Sequence, residues 1–126
     1  MGVTGFGGLL FRARDPDMLT AWYRDNLNVG AGCSADAVDP AGEWVWKAAG
    51  GPTMFAPLKA TTDYFAADKA FMINLRVSDL DALIVQLRQD GIPVETRVEW
   101  DDPTTGKFAR VHDPEGYAIE LWEPPA

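Results

Sequence analysis

The sequence predicts an α+β chain built as two tandem βαβββ modules within one domain, module one at about 5–58 and module two at about 71–124. Three observations predict it. The order strand, helix, three strands reads twice along the chain. Sliding the chain on itself by 64 residues pairs Arg12 with Arg76, Asp15 with Asp79, Asp17 with Asp81, Leu19 with Leu83 and Arg24 with Arg88. The same offset matches apolar partners: Leu9 with Ile73, Phe11 with Leu75, Tyr23 with Leu87 and Phe55 with Ile119. Finally, Lys107–Pro124 reads as strand, tight turn, strand, with strict alternation from Tyr117 to Trp122.

The first module opens on GFGGLLFRA, a glycine cluster that becomes a strand. Its glycines do not complete G-x-G-x-x-G because position 10 is Leu, so no dinucleotide site is expected. Asp15-Pro16 then starts a helix, Asp as the cap and Pro at the first helical position. Leu19, Trp22, Tyr23 and Leu27 fall near helical spacing, and Asn28 to Gly32 ends it. Three strands are expected at Ala35–Val38, Glu43–Ala48 and Thr53–Leu58, the last after a Gly50-Gly51-Pro52 turn. Lys59 to Lys69 is polar and mixed, and reads as the linker between modules.

Phe71–Val77 is a strand rich in apolar residues. Ser78 or Asp79 caps a second helix, with Asp81 in its first turn where the helix dipole favours an acid. Leu80, Leu83, Ile84 and Leu87 lie at i, i+3, i+4 and i+7, and Gly91 with Pro93 closes the helix. Val94–Trp100 is expected as a strand and Asp101–Gly106 as a loop. In the closing hairpin, Asp113-Pro114-Glu115-Gly116 is a turn: Pro presets φ, Asp bonds its own backbone, and Gly tolerates positive φ. Tyr117, Ile119 and Leu121 then point to one face, and Ala118, Glu120 and Trp122 to the other. A carboxylate is thereby held in mid-strand opposite an apolar triplet.

Composition excludes several functions. Formal net charge is −8, from 19 acidic and 11 basic residues, a surface that repels nucleic acid phosphates and anionic lipid. No nucleic-acid partner is expected. No apolar run approaches the ~18 residues of a membrane helix, and no signal peptide is expected. A single cysteine, Cys33, rules out an internal disulfide and suits a reducing cytoplasm. Ser34 and Ser78 lack a nucleophile-elbow context, and no Walker A sequence is present.

The segments VHDPEGYAIELWEP and FMINLRVSDLDALIVQLRQDGIPV, with the doubled layout, resemble the vicinal oxygen chelate superfamily: glyoxalase I, bleomycin-resistance proteins and extradiol dioxygenases. The resemblance covers nearly the whole chain. It implies sheets curled into a cup with helices outside, usually a homodimer, and in the enzymes a divalent metal inside the cup. The ligand positions of metal-binding members fall here on Gly8, Ala56, Met72 and Glu120, spaced by the same 64 residues. Only Glu120 is a useful ligand for a hard cation, whereas a divalent catalytic site needs about three. His112, the one histidine, reads as an exposed strand-end residue. No cofactor is therefore expected; a divalent metal is the alternative should the strand register differ.

Parity gives the lining of the Glu120 face: Gly8, Leu10 and Arg12; Trp44 and Trp46; Met54 and Ala56; Met72, Asn74 and Arg76; Phe108, Arg110 and His112; Ala118 and Trp122. Such a mixture of aromatic, apolar and a few polar groups suits a small-ligand site. Arg12, Trp44, Trp46, Met72, Asn74, Arg76, Phe108, Arg110 and Trp122 are the candidate ligand-binding residues. Plainer roles stand beside these: the tryptophans as core or dimer cover, the methionines as adaptable filler. Glu120 is either a structural carboxylate paired with Arg12, Arg76 or Arg110, or a catalytic general base, since burying it alone is costly. Three functions follow: a metal-free binder of a small, aromatic or cationic molecule; a lyase or isomerase using Glu120; or an accessory subunit that uses the fold for dimerisation.

Overall fold

The closing hairpin organises the fold as the alternation requires. In the computed structural model, which describes residues 2–3, 6–29, 46 and 48–126, the chain falls into two compact units, Met1–Phe55 and Ala56–Ala126.

In the first unit, helix α1 spans Pro16–Leu27. The Asp15 side chain accepts from the Met18 N–H at 3.2 Å, and Pro16 takes a first-turn position where no N–H is missed. Asn28 ends the helix at φ +54, its N–H and that of Val29 closing on the Arg24 and Tyr23 carbonyls. Leu19 and Tyr23, one turn apart, are its buried residues. The strand expected within Gly5–Ala13 is not formed over Phe6–Ala13, nor is one formed over Thr53–Leu58. Both stretches have β-prone residues, but a strand exists only as part of a ladder, and their backbones find no partner strand among the described residues. The expected strand at Ala35–Val38 lies outside the described residues, as does most of Glu43–Ala48.

In the second unit, β1 (Ile73–Arg76), β2 (Lys107–His112) and β3 (Ala118–Glu123) form a three-stranded sheet in the order β1-β3-β2. β1 runs parallel to β3 and β2 antiparallel to it. Helix α2 (Leu80–Gln89) makes the crossover between β1 and the hairpin. Its cap repeats that of α1: the Asp79 side chain accepts from the Ala82 N–H at 3.1 Å. Gly91, at φ +80, ends it, and the Ile92 N–H closes on the Leu87 carbonyl at 2.9 Å. α2 packs against β2 and β3. The largest wholly buried side chains among the described residues are Leu80 and Leu87 from the helix and Val111, Ile119 and Leu121 from the strands. Each contributes roughly 1.5–3 kcal/mol of burial.

The hairpin turn has the predicted chemistry. Asp113 is buried, and its Oδ1 accepts from the Glu115 and Tyr117 N–H groups at 2.8 and 3.0 Å. Gly116 sits at φ +87. Val94–Trp100 is not the expected strand. Only Glu95 bridges to Arg110, through two backbone bonds of 2.9 Å, and Val98–Trp100 turns into a 3-10 helix. There the Trp100 and Asp101 N–H groups turn back to the Arg97 and Val98 carbonyls, so these donors are lost to any ladder.

Candidate functional site

Pairing across the sheet builds the site. Asn74 stands opposite Glu120 on the parallel side, and Arg110 opposite Glu120 on the antiparallel side. One row therefore reads amide, carboxylate, guanidinium. The next row on this face is Arg76, Trp122 and Phe108, and His112 stands opposite Ala118. The core residues Val111, Ile119 and Leu121 have the opposite parity.

Glu120 is 8% exposed, and each of its oxygens has a protein donor. Oε1 accepts from Asn74 Nδ2 at 2.8 Å, and Oε2 accepts from the Tyr64 hydroxyl. Tyr64 comes from the segment ahead of β1 and spreads its ring over the Arg110 guanidinium, 4.5 Å from carbon to centroid. Trp100, carried beside Arg110 by the Glu95 bridge, places its ring 5.6 Å from the same guanidinium. Both rings thus contact the guanidinium through its π system. Arg110 Nε and Nη2 are buried without a hydrogen-bond partner, the only such side-chain atoms among the described residues. A buried donor in that state costs about 1–3 kcal/mol.

Burial, reinforced by the hydrogen bond to Glu120 and by its negative charge, raises the Tyr64 pKa above the ordinary 10.0, while Arg110 pulls the other way. The phenol therefore remains a proton donor at neutral pH. Beside this row, Phe108 and Trp122 stack with centroids 6.3 Å apart and planes 9° from parallel, and Trp122 Nε1 donates to the Thr105 carbonyl at 2.8 Å. A separate half-open groove of about 300 Å³ is lined by Leu80, Ile84, Arg88 and Phe108 and also by Asp81 and Lys107. The 2.9 Å ion pair between the last two crosses exposed surface, and the groove does not reach Glu120.

The structure thus brings together Asn74, Glu120 and Arg110, with Arg76, Phe108 and Trp122 in the neighbouring row. Met72 lies half-buried just ahead of β1, and His112 is exposed at the end of β2. Arg12 and Trp46 belong to the first unit, where both are exposed, and Trp44 lies outside the described residues. Glu120 is held by Asn74 and Tyr64; its cross-strand neighbour Arg110 has neither Nε nor Nη2 bonded to it. Tyr64 and Trp100 are the residues that sequence reasoning missed. Tyr64 sits in a stretch without periodicity, and its only signal is an aromatic residue in a polar linker. Trp100 falls in an expected strand, Val94–Trp100, that the structure replaces with a 3-10 turn, so its parity carries no information.

Among the described residues, the expected ligand positions offer one donor for a divalent cation, Glu120. The other expected positions hold Gly8, Ala56 and Met72, and the residue opposite Glu120 on β2 is Arg110. Among the described residues no three His, Cys, Asp or Glu side chains converge.

A family model for the Glyoxalase/Bleomycin resistance protein/Dioxygenase superfamily matches residues 5–121. The chain belongs to that superfamily. Its glyoxalase-type fold shows among the described residues as a small mixed sheet and two helices. A solved structure of similar fold is TnmS3, an antibiotic binding protein from Streptomyces sp. CB03234. It aligns over 98% of each chain with a TM-score of 0.56 and 20% identity, a likeness of fold alone. No curated protein matches the chain in sequence. No helix among the described residues is long and apolar enough to cross a membrane.

Proposed function

We propose that this glyoxalase-superfamily chain binds a small organic molecule on the Glu120 face of its sheet, without a catalytic metal. The observation that carries the reading is the row Asn74–Glu120–Arg110, roofed by the rings of Tyr64 and Trp100. Convergent polar groups of fixed orientation beside aromatic surface are what a small-ligand site requires. A neighbour in fold that is itself an antibiotic binding protein supports the same class of function. The reading takes the chain as one domain of two tandem modules, about 5–58 and 71–124. The shared Asp15 and Asp79 caps at the 64-residue offset support it. It also takes the working form as a cytoplasmic homodimer. Phe6, Leu10 and Phe55 of the first unit, exposed by 60, 92 and 79%, offer apolar surface for a second copy.

Titration of chelator-treated protein with a library of aromatic small molecules, followed by tryptophan fluorescence, tests the proposal. Saturable binding that stays the same after divalent metal is added back supports it. Binding that appears only with stoichiometric metal overturns the metal-free part, and an inert library overturns the binding part.

The second reading is a lyase or isomerase in which Glu120 abstracts a proton. A buried carboxylate on a polar sheet face favours it. Against it, both oxygens already accept hydrogen bonds from Tyr64 and Asn74, an arrangement that holds the carboxylate in place rather than presenting it. Loss of a measured turnover in Glu120→Gln, with ligand affinity retained, would restore this reading to first place.

A further inference from the structure

Taking the binding reading above as its premise, we infer that the ligand carries a carboxylate, and that the Nε/Nη2 edge of Arg110 receives it. Those two atoms are the buried donors without a partner. They lie on one side of the guanidinium, and their N–H bonds point the same way. That edge is the fork that takes two oxygens of one planar group side-on. The Tyr64 and Trp100 rings lie 4.5 and 5.6 Å from the guanidinium carbon, so its π surface already has aromatic partners while this edge has none. Glu120 does not fill it, because its two oxygens are taken by Asn74 and Tyr64.

Charge narrows the class further. With Glu120 in the adjacent strand and a net charge of −8 on the chain, a monoanion is tolerated better than a dianion such as a phosphate monoester. The rings flanking the guanidinium favour an aryl group next to the carboxylate. Tyr64, at 38% exposed, is the cover that moves, since the edge itself is buried and Trp100 is the less exposed of the two rings. A net charge of −8 by itself favours a cationic ligand. At this face Arg110 reverses that preference.

The test compares three probes of one shape by calorimetry: 2-naphthoate, 2-naphthamide and 2-naphthyltrimethylammonium. Wild-type protein is expected to bind the carboxylate about 10- to 100-fold more tightly than the amide, the scale of charge-assisted hydrogen bonds, and the cation least. Arg110→Gln is expected to erase that ratio. Arg110→Lys, which keeps charge and cation–π contact but lacks the fork, is expected to lose most of it, and it serves as the test if the glutamine variant does not fold. Equal affinity for amide and carboxylate, preference for the cation, or an unchanged ratio in Arg110→Lys overturns the inference while the binding reading survives. If none of the three probes binds the wild type, the binding reading falls and takes this inference with it.

Discussion

Tyr64→Phe isolates the contact that ties the segment ahead of β1 to the sheet. The substitution removes one hydroxyl, the donor to Glu120 Oε2, and keeps the ring that lies 4.5 Å from the Arg110 guanidinium. A hydrogen bond to a charged acceptor contributes about 1.5–3 kcal/mol. Tyr64 is 38% exposed, so water reaches the vacated position and offsets part of the loss, leaving about 1–2 kcal/mol. For a chain of this size that corresponds to a fall in Tm of roughly 3–10 °C. Urea denaturation of wild type, Tyr64→Phe, Glu120→Gln and the double variant closes a cycle, and a coupling of at least about 1 kcal/mol is expected between the two sites. The pH dependence follows from the raised pKa of Tyr64. A group whose pKa is higher folded than unfolded contributes its full stabilisation below the unfolded value, here about 10, and loses it as pH rises through the folded value. The gap between wild type and Tyr64→Phe is therefore expected to be flat through neutral pH and to shrink above about pH 10. A coupling near zero, or a gap that widens with alkali, refutes the assignment of Tyr64 as the partner of Glu120.

Gly106 sits at φ +109, and a Cβ there would run into the Glu123 carbonyl and lie 3.0 Å from Trp122 Nε1. Gly106→Ala is accordingly expected to cost more than about 2 kcal/mol in urea denaturation and to perturb Trp122 fluorescence, and a neutral variant would contradict the close approach. Asp113→Ala removes the acceptor of two buried-turn N–H groups and is expected to cost about 2 kcal/mol, with Asp113→Asn recovering part of it, measured the same way. The capping pair predicts parallel behaviour: Asp15→Ala and Asp79→Ala should each cost about 0.5–2 kcal/mol, with their far-UV helical signal lost earlier on heating.

Much of the second unit is legible in its residues because the signals there are local. Asp79, Gly91 and the Asp113–Gly116 turn act within four residues of themselves, and the structure has each doing what its chemistry requires. The alternation from Tyr117 to Trp122 also survives, so that Asn74, Glu120 and Arg110 share a face by parity alone. Parity fails where a strand has no ladder. Phe6–Ala13 and Thr53–Leu58 carry β-prone residues without strand pairing, and Val94–Trp100 spends its backbone donors on a 3-10 turn after a single bridge. β propensity measures fit to a sheet that something else must supply.

By itself, then, the amino-acid order determined the caps, the turn, the helix faces and the side of the sheet on which the buried acid would stand, since these depend on neighbours a few positions away. Tertiary structure alone decided what that acid and its cross-strand arginine would meet. Tyr64 lies 56 positions from Glu120, in a stretch with no periodicity, and Trp100 reaches Arg110 through one backbone bridge. Contacts of that kind are set by how loops close over a sheet, and neither period nor composition encodes where a loop side chain comes to rest.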